Sequence, residues 1–237
     1  RLEVAFEKGE KLETMVEAMR DDFLTIPTTS VAKPLVGVVG EIYVRNNPFT
    51  NQNVVRRIEK AGGEAWLAPI TEWVLYTAHM EAWFKGHRTG GFVERLSMLA
   101  KNKFLLRDEA YWMKRVHPLL EDRVEPSLGS TLKEGEPYFP MDFEGEAIIT
   151  IGRAIEYMKD GASLVVNCAP FGCMPGSMTS GVFQEVEEKY GVPVANMFYD
   201  GEGDLNDRID TYLANLRQVS RVGKKSQSRN VSDRVPS

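Results

Sequence analysis

The chain has 237 residues, 43% of them hydrophobic and 10% aromatic, and a net charge of −5. A chain of this length buries roughly 70% of the surface that its unfolded form exposes, so it needs neither disulfides nor a structural metal to hold a core. The acidic balance argues against nucleic-acid binding, which requires clustered Lys and Arg, and no apolar run approaches the roughly 20 residues of a membrane span. With two cysteines and no signal peptide, the sequence predicts a cytoplasmic protein.

The first third of the chain predicts a helix with a linker, residues 1–34, followed by a strand–helix–strand unit. Apolar residues recur at helical spacing between Leu12 and Phe23, and Pro27 ends this helix. The β-branched run after the linker is typical of a strand buried on both faces. In chain order, the unit consists of a strand over Leu35–Gly40, a polar loop over Glu41–Asn53, a helix over about Gln52–Ala61 and a strand over Glu64–Pro69.

Between about residues 71 and 160 the pattern becomes helical, which predicts a helical insertion between two strand-bearing halves. Aromatic and apolar side chains at three- and four-residue spacing indicate successive helices. Their stripes are Trp73, Tyr76, Met80 and Trp83; then Phe92, Leu96, Leu99, Lys103 and Leu106; then Tyr111, Trp112 and Val116; with a further helix over about Gly145–Lys159.

Strands and helices alternate again after the insertion. They are predicted as strands over Ala162–Asn167 and Val192–Tyr199 and as helices over Ser177–Tyr190 and Asp204–Leu216. Such alternation indicates an α/β fold, a mainly parallel, doubly wound sheet of about four strands with a helical insertion, within a domain over residues 35–217. Residues 218–237 hold five basic residues, one acidic residue and no aromatic residue, and predict a disordered basic tail.

Both cysteines lie in a loop that follows a predicted strand. Ligands of open parallel sheets bind outside the carboxyl ends of the strands, and the loop over Asn167–Ser177 contains Cys168, Cys173, two Pro and two Gly. A thiol beside a helix N-terminus ionises more easily than a free thiol. A thiolate there can be a nucleophile, a redox partner or a metal ligand, whereas Cys168 can also be a small core residue.

The loop after the first predicted strand supplies candidate substrate-binding residues, namely Glu41, Arg45 and Asn46. A guanidinium binds a phosphate or carboxylate in bidentate fashion, and Glu41 can act as a general base or orient Arg45. A surface salt bridge is the alternative. Gly37 and Gly40 stand three residues apart and do not match the G-x-G-x-x-G spacing of a dinucleotide-binding turn, so no Rossmann cofactor is predicted.

Two groups of motifs resemble a known family. The chain is similar to the C-terminal region of the acyl-CoA dehydratase activase-related proteins, which are related to the cluster-bearing subunits of 2-hydroxyacyl-CoA dehydratases and benzoyl-CoA reductases. The resemblance spans about Leu35 to Leu216, and its most specific element is a Pro-Phe-Gly-Cys-x-Pro loop. The residues that carry it are Pro170–Pro175, Pro193, Tyr199, Asp200, Asn206 and Arg208, with Gly40–Arg45, Asn53, Gly62, Pro69, Glu72, Trp73 and Tyr76 in the first half.

The resemblance implies iron–sulfur chemistry. An ATP-driven activase would deliver an electron to a [4Fe-4S] or related cluster, which would pass it to a substrate such as an acyl-CoA thioester. Cys173 matches the family loop and is the first candidate ligand, and Cys168 is the second. The other ligands are missing from this chain, so they would come from a preceding domain, in keeping with the start at Arg1 rather than Met, or from a second subunit, with a homodimer as one arrangement.

Two further hypotheses stay open from the sequence. The chain can be a non-catalytic interaction module of a larger activase-like polypeptide. It can also be a thiol redox protein that uses Cys168 and Cys173 as a switchable pair, which requires their Cα atoms to lie within about 7 Å.

Overall fold

The computed structural model describes residues 2–28, 31–84, 91–120, 123, 125–143 and 145–216, so the predicted basic tail lies outside the described residues. The strands are β1 (Leu35–Gly40), β2 (Glu64–Leu67), β3 (Leu164–Pro170) and β4 (Val194–Tyr199). The helices are α1 (Leu2–Lys8), α2 (Leu12–Leu24), α3 (Ile42–Asn46), α4 (Val54–Lys60), α5 (Ile70–Phe84), α6 (Phe92–Leu120), α7 (Leu128–Gly135), α8 (Ala147–Lys159), α9 (Met174–Tyr190) and α10 (207–216). Within the described part of the chain, no helix combines the length and the apolar character needed to cross a membrane.

The four strands form one parallel sheet in the order β2-β1-β3-β4. The central pair is β1 and β3, in which Val36 lies beside Leu164 and Gly40 beside Cys168. This arrangement confirms the predicted α/β fold with a mainly parallel sheet of about four strands. Parallel strands are buried on both faces, which explains why their sequences are nearly continuous apolar runs.

Helices cover both faces of the sheet. On one face α4 and α10 pack over alternate residues of β1, β3 and β4, and the side chains buried there are Val36, Val38, Val54, Ile58, Val166, Cys168, Met197, Ile209 and Leu213. On the other face α8 lies so close to β1 that a Cβ added at Gly37 would lie 2.4 Å from Cδ2 of Tyr157. The helix α8 is buried over almost its whole length, from Ala147 to Met158, and this stretch includes an ion pair between Arg153 and Glu156.

The chain divides into two compact units. One contains the described residues up to Val31 together with Thr71–Leu128, and the other contains Ala32–Ile70 and the described residues from Gly129 onward. Between β2 and β3 the described residues form helices only, α5 to α8, and from Gly129 onward they belong to the sheet unit. The helix α8 packs on β1 and β3 and therefore lies in the sheet unit.

The helical unit is built around α6, which is one helix of 29 residues. The sequence predicted two separate helices here, but no helix breaker separates their stripes, and Pro118 falls near the C-terminal end of the continuous helix. The helix packs against α2, where the Tyr111 hydroxyl donates to Glu13 Oε1 at 2.8 Å and Arg20 donates to the Arg115 carbonyl at 3.3 Å.

Candidate functional site

The strand order places a crevice between the carboxyl ends of β1 and β3. The connection after β1 leads to β2 on one side of the sheet, whereas the connection after β3 leads to β4 on the other. Loops that leave adjacent strands in opposite directions open a crevice, and open α/β sheets bind their ligands at that position. The crevice of this chain is bordered by the turn from β1 into α3 and by the turn from β3 into α9.

The turn from β1 into α3 depends on Gly40. Its φ of +111° lies in a region that L side chains rarely adopt, and a Cβ at this position would lie 2.1 Å from the Cys168 carbonyl oxygen. That oxygen accepts a hydrogen bond from the Glu41 N–H at 2.8 Å. The Glu41 side chain then caps α3, because its Oε2 accepts from the Val44 N–H at 2.7 Å. The predicted polar loop thus begins with a short helix.

Arg45 and Asn46 do not line the crevice. Arg45 is buried, and its guanidinium donates to the carbonyls of Gly40 at 3.1 Å and Pro69 at 3.2 Å. It therefore ties the end of β1 to the chain after β2. Asn46 donates from Nδ2 to the Ile42 carbonyl of its own helix at 2.7 Å. Of the three predicted substrate-binding residues, the structure brings only Glu41 to the crevice.

The turn from β3 into α9 presents Cys173. This residue is the N-cap of α9, and its Sγ accepts a hydrogen bond from the Gly176 N–H at 3.4 Å. The helix begins at Met174, three residues before the predicted start, because Pro175 suits the first turn, where an N–H has no helical partner. The thiol of Cys173 is half-buried and lies at the N-terminal end of a 17-residue helix.

Cys168 lies in a different environment. It is fully buried in the core cluster beneath α4 and α10, and its Sγ is 4.0 Å from the Tyr199 hydroxyl. Burial raises the pKa of the Cys168 thiol to about 12, against smaller opposing effects of Tyr199 and Arg45. Cys168 is therefore a neutral thiol at physiological pH, and it packs as a small core residue.

A small pocket adjoins Cys173, and we call it the thiol pocket. It is lined by Gly40, Glu41, Glu146, Thr150, Asn167, Cys173, Pro175, Gly176 and Thr179. Its two carboxyl side chains are fixed by backbone contacts, since Glu146 Oε2 accepts from the Ile42 N–H at 3.0 Å and Glu41 caps α3. Acidic and hydroxyl side chains thus surround a sulfur at the end of a helix.

Asn167 is one of three buried polar residues that line the thiol pocket, with Thr150 and Thr179. Its side chain is 1% exposed, and Nδ2 donates to Asn196 Oδ1 at 2.9 Å and to Thr179 Oγ1 at 3.2 Å. Its Oδ1 accepts no hydrogen bond from any residue in the described part of the chain. Sequence reasoning missed Asn167 as a site residue, although a polar amide within the apolar run of β3 was a signal that could have found it.

A larger groove lies on the other side of Glu41, at the ends of β1, β3 and β4. It has a cavity volume of about 580 Å³, within the range of small-molecule sites. Its rim carries exposed aromatic side chains, Tyr43 and Phe49, and the turn into α9 adds exposed Phe171 and Met174. We call this region the crevice rim. Apolar residues grouped at one edge of a sheet are typical of a surface that meets a ligand or another protein.

Among the residues that the structure describes, no group of three or more His, Cys, Asp or Glu side chains is arranged to hold a metal ion. No protein-family model, no curated protein and no solved structure matches this chain. The geometry of the crevice and the sequence motifs are therefore the basis for assigning a function.

Proposed function

We propose that this chain is the electron-transferring domain of an iron–sulfur protein of the 2-hydroxyacyl-CoA dehydratase or reductase type, and that Cys173 is its cluster ligand. The observation that carries the proposal is the position of Cys173 as the half-buried N-cap of α9, at the crevice between β1 and β3. A parallel sheet holds such a thiol rigidly, and its position at a helix N-terminus lets it face a ligand at the crevice.

The residues present fit one ligand of a cluster. A [4Fe-4S] cluster is normally held by four thiolates, and this chain has two cysteines. Cys168 does not fit as a ligand, because its thiol is buried in the core and its raised pKa keeps it protonated. The remaining ligands would come from a preceding domain, a second subunit or a second copy of this chain.

The side chains around Cys173 have separate roles in this proposal. When bound, the cluster supplies one-electron transfer. The Gly176 N–H holds the sulfur in place at 3.4 Å, while the carboxyl groups of Glu41 and Glu146 line the same pocket. Phe171 and Met174, exposed residues of the turn that carries Cys173, would exclude water on docking.

The partners follow from the same proposal. An ATP-driven activase would donate the electron, and an acyl-CoA thioester would be the acceptor. The groove beside Glu41 has room for a small-molecule group. The crevice rim, with its exposed Tyr43, Phe49, Phe171 and Met174, supports the second candidate, an interaction module that docks on a larger polypeptide without binding a cofactor itself.

Anaerobic reconstitution with iron and sulfide tests the proposal. The wild-type chain is compared with Cys173→Ser and with the matched control Cys168→Ser, and the measurements are iron and sulfide per chain and the visible absorption spectrum. We expect iron to bind to the wild type and to Cys168→Ser and to be lost in Cys173→Ser. Equal iron in both variants would contradict the ligand assignment, and a colourless wild type would favour the interaction module.

A further inference from the structure

The thiol pocket is lined by hydrogen-bond acceptors, and none of the described residues around it is basic. The acceptors meet there from the end of β1, from α8 and from β3. They are the carboxyl groups of Glu41 and Glu146, the hydroxyl of Thr150 and the amide oxygen of Asn167. Carboxylate and amide oxygens only accept hydrogen bonds, and a hydroxyl accepts as well as donates. A ligand of this pocket must therefore be a donor.

The amide oxygen of Asn167 is the acceptor that most needs a donor. The side chain is 1% exposed, and its Oδ1 accepts no hydrogen bond from any residue that the structure describes. The nitrogen Nδ2 faces β4 and α9, where it donates to Asn196 and Thr179. The oxygen is on the other branch of the planar amide, so it faces β1, whose end lines the pocket. A buried acceptor without a donor destabilises the fold, and a bound donor would remove this penalty.

The acceptors are fixed in position by contacts within the chain. Glu41 Oε2 accepts from the Val44 N–H at 2.7 Å, and Glu146 Oε2 accepts from the Ile42 N–H at 3.0 Å. The amide of Asn167 is oriented by its two donated hydrogen bonds. A carboxylate has more than one lone pair on each oxygen, so these contacts leave it able to accept from a ligand. Such preorganisation lowers the entropic cost of binding.

The pocket has room for one group of the size of a water molecule. Its cavity volume is about 20 Å³, whereas roughly 10–15 Å³ holds one water. This size admits water or ammonium and excludes a phosphate or a carboxylate. Two helices, α8 and α9, begin at the pocket and would attract an anion, but the side chains of Glu41 and Glu146 repel one.

We propose that the thiol pocket is a binding site for an ammonium ion, which donates to Asn167 Oδ1, to the two carboxyl groups and to the Thr150 hydroxyl. Ammonium has four N–H donors, one for each acceptor, whereas water has two donors. Its positive charge is attracted by two acidic side chains, and hydrogen bonds between charged groups are stronger than those of a neutral donor. Charge and the number of donors therefore favour ammonium over water.

Thermal unfolding of the iron-free chain tests the proposal. Ammonium chloride replaces sodium chloride at constant ionic strength, up to about 100 mM, and unfolding is followed by circular dichroism. We expect the midpoint temperature to rise in a saturable way with ammonium. Potassium, which is similar in size but has no N–H donor, should not raise it. Tetramethylammonium, which also has no N–H donor, should not raise it either.

Two variants test which residues hold the ion. Glu41→Gln and Glu146→Gln keep an oxygen for the backbone N–H that each accepts, but they lose the charge. We expect the apparent dissociation constant of ammonium to rise at least about 10-fold in each. The matched control is Glu188→Gln, at the other end of α9, where the side chain is exposed. The control should bind ammonium as the wild type does.

NMR with ¹⁵N-labelled ammonium locates the ion directly. We expect its N–H protons to show nuclear Overhauser effects to the methyl group of Thr150, which is buried beside the pocket.

Three results would overturn the proposal. A midpoint temperature that responds to neither cation would leave Asn167 Oδ1 to a water molecule. An equal response to ammonium and potassium would show that no N–H donor is recognised. Equal affinity in Glu41→Gln and Glu188→Gln would place the ion elsewhere. Ammonium binding is measured without iron, and iron reconstitution is carried out without ammonium, so the ammonium site and the proposed function fail separately.

Discussion

Replacing Gly40 by Ala perturbs the point at which β1, β3 and the crevice meet. Two costs add at this position. A side chain at φ +111° costs about 1–3 kcal/mol. The new Cβ would also lie 2.1 Å from the Cys168 carbonyl oxygen, which is backbone and cannot rotate away. Moving that carbonyl weakens its buried hydrogen bond with the Glu41 N–H, at a further cost of about 1–3 kcal/mol.

We therefore expect Gly40→Ala to lower the free energy of unfolding by about 3–5 kcal/mol, a large share of the 5–15 kcal/mol of a typical protein. Urea unfolding followed by circular dichroism measures this change. Gly161→Ala is the matched control, because Gly161 also has a positive φ, +91°, but a Cβ there would meet nothing within 4 Å. If both variants lose the same stability, the contact between Gly40 and β3 contributes nothing and the reasoning is refuted.

Two further predictions concern the buried face of the sheet. Burial raises the pKa of Cys168 to about 12 in the folded protein, whereas the thiol of an unfolded chain titrates near pH 8.5. Above about pH 9, unfolding therefore releases a proton. The free energy of unfolding then falls by about 1.4 kcal/mol per pH unit. In urea unfolding between about pH 8 and pH 11, the free energy of unfolding of Cys168→Ala should fall less steeply with pH than that of the wild type. Identical slopes for the two proteins would contradict the prediction. Tyr199→Phe removes a buried hydroxyl that donates to Asn206 Oδ1 at 2.9 Å. We expect the free energy of unfolding, measured by thermal unfolding, to fall by about 1–2 kcal/mol. An unchanged midpoint temperature would show that this hydrogen bond does not stabilise the fold.

The sheet was predictable because burial on both faces leaves a clear trace in sequence. Each of the four strands is a short apolar run bounded by Gly, Pro or polar residues, and the alternation with helices fixes the parallel topology. The assignment of α8 was not predictable in the same way. Periodicity identified the helix over Gly145–Lys159, but a local pattern does not reveal that its partner surface is the sheet rather than the preceding helices.

The candidate site was predictable in position and less so in composition. The rule that ligands bind at the carboxyl ends of parallel strands located the crevice, and Glu41 and Cys173 border it. Arg45 carries a charge that suggested exposure, yet its donors are used by two carbonyls that become neighbours only after folding. Glu146, the N-cap of α8, reaches the same pocket and accepts from the N–H of Ile42, 104 residues away in sequence, so spacing along the chain gives no sign of it.

The opposite environments of the two cysteines have a consequence for oxidation. Peroxide attacks thiolates that solvent can reach, and Cys168 is neither ionised at physiological pH nor exposed. Cys173 is the cysteine of this chain that solvent reaches, so a peroxide would convert its thiol to a sulfenic acid. With Cys168 enclosed on the far side of the sheet, that sulfenic acid would condense with a thiol of another molecule. Peroxide would thus convert the protein into disulfide-linked species joined between chains with release of water, and a thiol reductant would return them to single chains.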